Sequence, residues 1–352
     1  MSKKIYATIF TIIFGFIIIS MQGCEKKDEP VNDKSKDSGS TGTVNSELVK
    51  KDDKGTKVTL ALKPKKGDIL KYKMNAKTTS KENSPMTANK DMSSAQDINY
   101  YYTEEVNDVS SAGIITYKIK FDSINVLSSV STSDSSVSMT YNSNIKDSVY
   151  AKPDFIQYNS IMNEEFYARV SPNGEITETY GLEKVYENMF KALGDTLSTE
   201  QKESLKESFG KDAIKAVLQQ QFQMFPEKEV YQDSSWTRSY ETQILIFPVK
   251  NILSYKLKDI KTENNQTLLT IDADLSVDFI EKELKEKQMT YKVEDVKTGG
   301  KGNIVFNLTK GCTSKKETTT NIELGMKISA GGQSVKTTQN VLTELKVELL
   351  NK

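Results

Sequence analysis

Strict two-residue alternation of apolar and polar side chains constrains this chain more than any other feature. Tyr117, Ile119 and Phe121 alternate with Lys118, Lys120 and Asp122, and Ile271, Ala273, Leu275 and Val277 stand against Asp272, Asp274 and Asp278. Successive side chains of a strand point to opposite faces, so the pattern specifies strands with one packed and one wet face, as antiparallel sheets have. Runs of similar character lie at residues 58–62, 69–75, 98–106, 165–170, 244–249, 254–260, 303–308, 318–329 and 335–349. Ser171-Pro172-Asn173-Gly174 reads as a hairpin turn in which Asn and Gly supply the positive φ values. Gly299-Gly300 and Gly331-Gly332 read as turns in the same way, and the Ser-rich stretches 78–96 and 128–148 as long loops or ragged edge strands.

One segment breaks the alternation. Leu182, Val185, Met189, Phe190 and Leu193 fall at helical spacing, as do Ile214, Val217, Leu218, Phe222 and Phe225 before Pro226. Ser198-Thr199-Glu200-Gln201 offers a capping-box start for a short helix between them. The expected fold is therefore mainly β (α+β): a large curved antiparallel sheet or partial barrel with a central helical insertion over about 181–225. A faint echo between 106–117 and 257–271 leaves two arrangements open. Related β units at about 57–180 and 226–352 either join in one sheet or form two lobes.

The first 24 residues carry an address. Lys3 and Lys4 precede residues 5–19, which hold no charge, and Ser20-Met21-Gln22-Gly23 leads into Cys24. This is the pattern of a signal peptide over residues 1–23, its apolar run being short of the ~20 residues that span a bilayer. A small residue directly before the cysteine resembles the bacterial lipobox. That resemblance implies cleavage before Cys24, a diacylglycerol on its thiol and a further acyl chain such as palmitate on its amine, which together exceed the two signals that stable anchoring needs. The expected location is the cell envelope, on the outer membrane, with the periplasmic and surface faces both open. Residues 24–56 are rich in Lys, Asp, Ser, Gly and Thr with little to bury, so they read as a disordered tether to an exported body over 57–352.

Composition narrows the function. Removing residues 1–23 takes away two lysines and no acid, leaving a net charge of −2, and only Arg169 and Arg238 are arginines. No nucleic-acid footprint or bidentate phosphate clamp is expected from this inventory. The chain has no histidine, which removes Ser-His-Asp chemistry and His-based zinc sites. With Cys24 acylated, Cys312 has no partner and reads as a buried filler. Ser143, Ser171 and Lys297-Thr298-Gly299 follow the order of penicillin-recognising motifs, yet Ser143 sits in a polar run and the other two read as turns. Asp272, Asp274 and Asp278 share a strand face, where a solvated surface is a commoner use than Ca²⁺ binding. Tyr100-Tyr101-Tyr102 could stack a sugar, but alternation puts at least one of the three into the core.

Lys66-Gly67-Asp68 with Lys71-Tyr72-Lys73-Met74, then residues 170–176, then Phe225-Pro226 with Val230 and Trp236, resemble an uncharacterised family of Bacteroidota-type bacterial lipoproteins. The family brings no activity to carry over, and Gln232 stands where its pattern has a glycine. Neither catalysis nor a cofactor or metal is expected. The leading expectation is a binding protein for an apolar or amphipathic ligand in the manner of lipoprotein carriers, the ligand cavity lined by Leu182, Val185, Met189, Phe190, Leu193, Ile214, Val217, Leu218 and Phe222. The alternative is a structural or protein-interaction module of the envelope.

Overall fold

The structure, a computed structural model, describes residues 48–350 apart from 54, 84–90, 146–154, 195–196, 210, 223–224 and 287. In chain order the first strands are β1 (Val49–Asp52), β2 (Gly55–Val58), β3 (Ile69–Asn83), β4 (Asp91–Val109), β5 (Ile115–Ser131) and β6 (Ser136–Asn142). Helix α1 (Ile156–Ile161) precedes β7 (Glu165–Val170) and β8 (Ile176–Tyr180), and three helices follow: α2 (Glu183–Leu193), α3 (Thr199–Phe209) and α4 (Lys211–Gln219). The remaining strands are β9 (Val230–Tyr231), β10 (Ser235–Ile244), β11 (Phe247–Glu263), β12 (Gln266–Phe279), β13 (Glu283–Glu286), β14 (Met289–Asn307), β15 (Cys312–Ala330) and β16 (Gln333–Leu349).

Thirteen of these strands form one open antiparallel sheet in the order β10-β11-β12-β14-β15-β16-β3-β4-β5-β7-β8, with β6 on β5 and β13 on β14. Most neighbours are consecutive hairpins. β12 with β14 and β5 with β7 each skip one strand, and β16 lies on β3, where Leu349 pairs with Tyr72 and Thr338 with Asn83, joining the last strand of the sheet to its first in chain order. Strands from both halves of the chain thus share one sheet. Asn264 and Asn265, both at positive φ (50° and 59°), turn β11 into β12, and Gly331-Gly332 (56° and 82°) turn β15 into β16.

The strand order decides where the helices lie. β8 ends at one edge of the sheet and β10 begins at the other, so the chain between them, with α2 to α4, must cross from edge to edge. It crosses over the inner face, where the helices cover an apolar core that includes Tyr102, Tyr117, Ile119, Phe166, Leu218, Phe222, Leu257 and Phe306. Phe225 ties the two edges: its amide donates to the Asn173 carbonyl beside β7 (2.8 Å), and its carbonyl accepts from Arg238 on β10 (2.6 Å). A second apolar cluster, with Ile244, Phe247, Val249, Val293, Ile322, Leu324 and Val341, fills the far end of the long strands.

Several expectations are corrected. Gly299 and Gly300 lie inside β14 rather than in a turn; a Cβ on Gly300 would stand 3.0 Å from the Thr319 carbonyl oxygen and the Thr320 hydroxyl, so the glycine permits a close approach of β15. In the turn after β7 only Gly174 has a positive φ (91°); Asn173 uses its side chain instead, accepting from the Glu175 amide. The Ser-rich stretches are largely strand, supplying the ends of β3, β4 and β5 and all of β6. Order also begins before residue 57. β1 and β2 form a hairpin completed by β9, with Leu48 and Val58 buried. The capping box forms as expected, with the Gln201 amide donating to the Ser198 hydroxyl (3.3 Å) and the Ser198 amide to Gln201 Oε1 (2.9 Å).

Candidate functional site

A cavity of about 110 Å³ lies between the helical layer and the inner face of β4 and β5. Tyr100, Phe121 and Ile124 form its floor, α1 contributes Gln157, Tyr158, Ser160 and Ile161, α2 contributes Val185 and Met189, and α4 contributes Ala213, Ile214 and Val217. Each helix meets the cavity through one stripe, because residues three and four apart share a face: Val185 and Met189 on α2, Ile214 and Val217 on α4. No charged side chain lines it among the described residues. Burial pushes the Tyr100 phenol far up and that of Tyr158 up to about 12, so both are neutral hydroxyls at physiological pH. Gln157 hydrogen-bonds to the Tyr158 phenol, whereas the Ser160 hydroxyl, in a residue 2% exposed, has no hydrogen-bond partner among the described residues.

The nine side chains expected to line a cavity separate into three groups. Val185, Met189, Ile214 and Val217 do line this one. Leu182, Leu218 and Phe222 are buried in the core beneath the helices, Phe222 against Tyr117 with ring centres 5.7 Å apart. Phe190 and Leu193 are half-buried, and the Lys202 ammonium stands 5.7 Å from the centre of the Phe190 ring. The floor from β4 and β5 and the wall from α1 are not apparent in the helical periodicity. Tyr100 could have been reached from the tyrosine triplet: it floors the cavity, Tyr102 is core, and Tyr101 lies under the Lys73 ammonium at 5.6 Å. Cys24 lies outside the described residues. Asp272 is held by Asn303 (3.0 Å) and Lys258 (3.1 Å), and no group of three or more acidic or cysteine side chains gathers as a metal site among the described residues.

A second group of functional residue types is buried below the cavity. Gln219, the last residue of α4, and Gln220 and Gln221 directly after it are all buried, each bonded to a different part of the sheet. Gln219 Nε2 donates to the Gly174 carbonyl and its Oε1 accepts from the Ile176 amide, both at 2.9 Å. The Gln220 carbonyl accepts from Lys316 Nζ at 2.6 Å. Gln221 Oε1 accepts from the Tyr102 hydroxyl, and its Nε2 donates to Glu104 Oε2 at 3.0 Å. Tyr72 donates to the Thr313 carbonyl beside them (2.9 Å). Glu104 Oε1 finds no partner among the described residues. Burial raises the Glu104 carboxyl to about 8, lowers the Lys316 ammonium to about 7 and pushes the free Cys312 thiol up to about 11. Such shifts can mark a catalytic centre. Here Glu104 and Lys316 are 0% exposed and Tyr72, Tyr102 and Tyr117 at most 1%, so the cluster fastens the helices to the sheet from inside the core.

Residues 112–313 match the model of a family of unknown function, DUF6263. The chain belongs to that family. No curated protein matches it. Among solved structures, one that describes lipid–protein interactions in lipovitellin aligns over 82% of this chain and 25% of its own, at 10% identity and a TM-score of 0.42. The chain thus spans a quarter of the lipovitellin chain. An outer-membrane channel from Pseudomonas putida F1 aligns over 81% of this chain and 97% of its own, at 8% identity and a TM-score of 0.19. OpdQ from Pseudomonas aeruginosa does so over 81% and 100%, at 5% identity and a TM-score of 0.20. At these scores the likenesses carry no argument about function.

Proposed function

We propose that this member of the DUF6263 family is a non-catalytic binding protein that holds an apolar ligand between the sheet and the helical layer. The observation that carries the reading is the charge-free cavity under α1, α2 and α4. At about 110 Å³ it is smaller than the ~150 Å³ that accommodates benzene in an engineered core, and far below the ~300 Å³ and more of most ligand pockets. A ligand longer than a few carbons therefore requires the helices to move outward. In this reading the chain is held at the cell envelope by acyl chains on Cys24, and Cys24→Ser releases it to the soluble fraction.

Native mass spectrometry of the chain purified without detergent tests the binding role, with n-hexane added where nothing co-purifies. The expected result is an apolar mass at near-unit ratio, or a hexane-dependent rise in melting temperature, either of which Val217→Trp removes by filling the cavity. A bare wild-type protein whose melting is indifferent to hexane overturns the reading. One observation favours the alternative of a protein-interaction module: Leu245, Ile246, Ile280 and Met289 are 38–50% exposed and lie at or beside the hairpin ends of β10 to β14. Crosslinking in cells that traps a stoichiometric partner through these residues would shift the balance to it.

A further inference from the structure

We propose that the far end of the sheet docks on a lipid bilayer, inserting the turn between β10 and β11 and the apolar side chains beside it. The inference rests on the attachment through Cys24 proposed above and goes beyond the cavity. Leu245 and Ile246 are the two residues of a tight turn between the paired Ile244 and Phe247, and both are exposed. The Ile280 amide donates to the Pro248 carbonyl (3.0 Å), which sets the exposed Ile280 next to that turn. Register carries the apolar surface onward, because Leu284, Tyr291, Ile328 and Val335 pair in one row across β13 to β16. Leu284 and Tyr291 pack against the distal apolar cluster, so this end is where that core opens to solvent. The turn also runs against backbone preference. A two-residue hairpin turn with positive φ at its first position favours glycine, yet Leu245 stands there at φ 56°. Strain of this kind gathers where a side chain has a use.

Size, charge and reach select the occupant. Leu245, Ile246, Ile280 and Val335, each 39–50% exposed, present a patch on the order of 300 Å². That falls short of the ~800 Å² per partner buried by a stable dimer or protein complex, whereas a bilayer takes up protruding apolar side chains to a depth of ~5–10 Å. Residues 281–286 hold three acids and two lysines, and Lys336 is paired with Glu294 at 2.7 Å, so apolar burial rather than attraction to anionic headgroups holds this end down. The described chain begins at Leu48, whose carbonyl accepts from Thr59 just past β2, and β9, paired with β2, leads into β10 at Ser235. The chain therefore enters at one end of β10 while the Leu245 turn caps the other, ~33 Å along the strand. The 23 residues between Cys24 and Leu48 can span up to ~80 Å, enough for the acyl chains and the turn to lie in one membrane.

Tryptophan quenching tests this on the acylated chain, produced from the full-length sequence and reconstituted in phosphatidylcholine vesicles whose acyl chains carry bromine near the headgroup. The chain's one tryptophan, Trp236, stacks on Tyr255 near the opposite end of β10 and serves as the internal control. Leu245→Trp should shift emission to the blue and lose about half of the added intensity, since ~5–10 Å of insertion brings the ring level with the bromines, while Trp236 of the wild type stays unquenched. Ile280→Trp is a second reporter. Its quenching should disappear when Leu245→Gly and Ile246→Ser remove the tip, a pair that keeps the fold because glycine is at ease at φ 56°. A chain that floats with the vesicles while both reporters stay unquenched overturns the inference and leaves the attachment standing; blue emission that grows with chain density would then mark a second copy as the occupant. Quenching of Trp236 as strong as that of Leu245→Trp also overturns it, since the body then lies on the membrane without using this end. A chain left behind when the vesicles are floated is neither anchored nor docked, and both readings fall.

Discussion

At the scale of single residues, Gln221 is the side chain that answers two buried groups of the sheet at once. Its two side-chain atoms answer two buried groups, the Tyr102 hydroxyl and Glu104 Oε2, on one strand. Gln221→Leu keeps most of the volume and leaves both without a partner, so it should destabilise the fold by about 2–5 kcal/mol, read from the denaturant midpoint at unchanged m value. A loss under about 0.5 kcal/mol would mean that the two groups find other partners. Neither Gln221 nor Glu104 stood out in the sequence. Glu104-Glu105 and Lys315-Lys316 look like solvated pairs, and only unbroken alternation from Ile98 through Tyr100, Tyr102 and Glu104 to Val106 marks Glu104 as the inward member. Val185, Met189, Ile214 and Val217 were legible because a helix repeats its buried face every three to four residues. Ser160 was not, since α1 has six residues and no repeat to reveal a face.

At the scale of elements, the long strands explain why the Ser-rich segments left loops and ragged edge strands both open in the sequence. Register aligns Gly300, Thr320, Thr343, Thr78, Gln96 and Ser128 in one row across six strands. All six share the inner face, and the row separates the helix-covered core from the distal cluster. Where both faces of a strand are polar, alternation vanishes although the backbone ladder continues, so periodicity finds no strand. The edges of the sheet are a different matter, because they are tied through the Arg238 contact to Phe225 rather than by strand pairing. Arg238→Met keeps the apolar stem and removes the guanidinium bond, at a cost of about 1.5–3 kcal/mol for a charge-assisted bond. Hydrogen exchange should then quicken in β10 and at the Phe225 amide more than in β3 or β4, and uniform quickening would argue against a local tie.

At the scale of the whole molecule, the two displaced ionisable groups set how global stability responds to pH. Glu104 has its carboxyl at about 8 in the fold against an ordinary 4.5, so between these values the native state keeps a proton that the unfolded chain has released. Stability falls with rising pH through that window, by about 1.4 kcal/mol per pH unit at its steepest. Lys316 has the opposite sign. Its ammonium lies at about 7 in the fold against 10.5, so above 7 the unfolded chain holds the extra proton and stability rises with pH. The two contributions oppose each other between pH 7 and 8, and a minimum is expected there, with recovery toward pH 9. From pH 9 to about 11 Cys312 works against that recovery, because its native thiol keeps a proton that the unfolded one loses. Unfolding free energies of the wild type, Glu104→Gln and Lys316→Met across pH 5 to 9 separate the terms. Glu104→Gln should flatten the descending limb from 5 to 7, and Lys316→Met should remove the rise between 8 and 9. If both variants reproduce the wild-type curve, shifted only by a constant, the buried pair does not govern the pH response. The same cluster holds α4 against the sheet, so a chain at the minimum should also release its helical layer most readily and exchange a ligand held beneath it fastest.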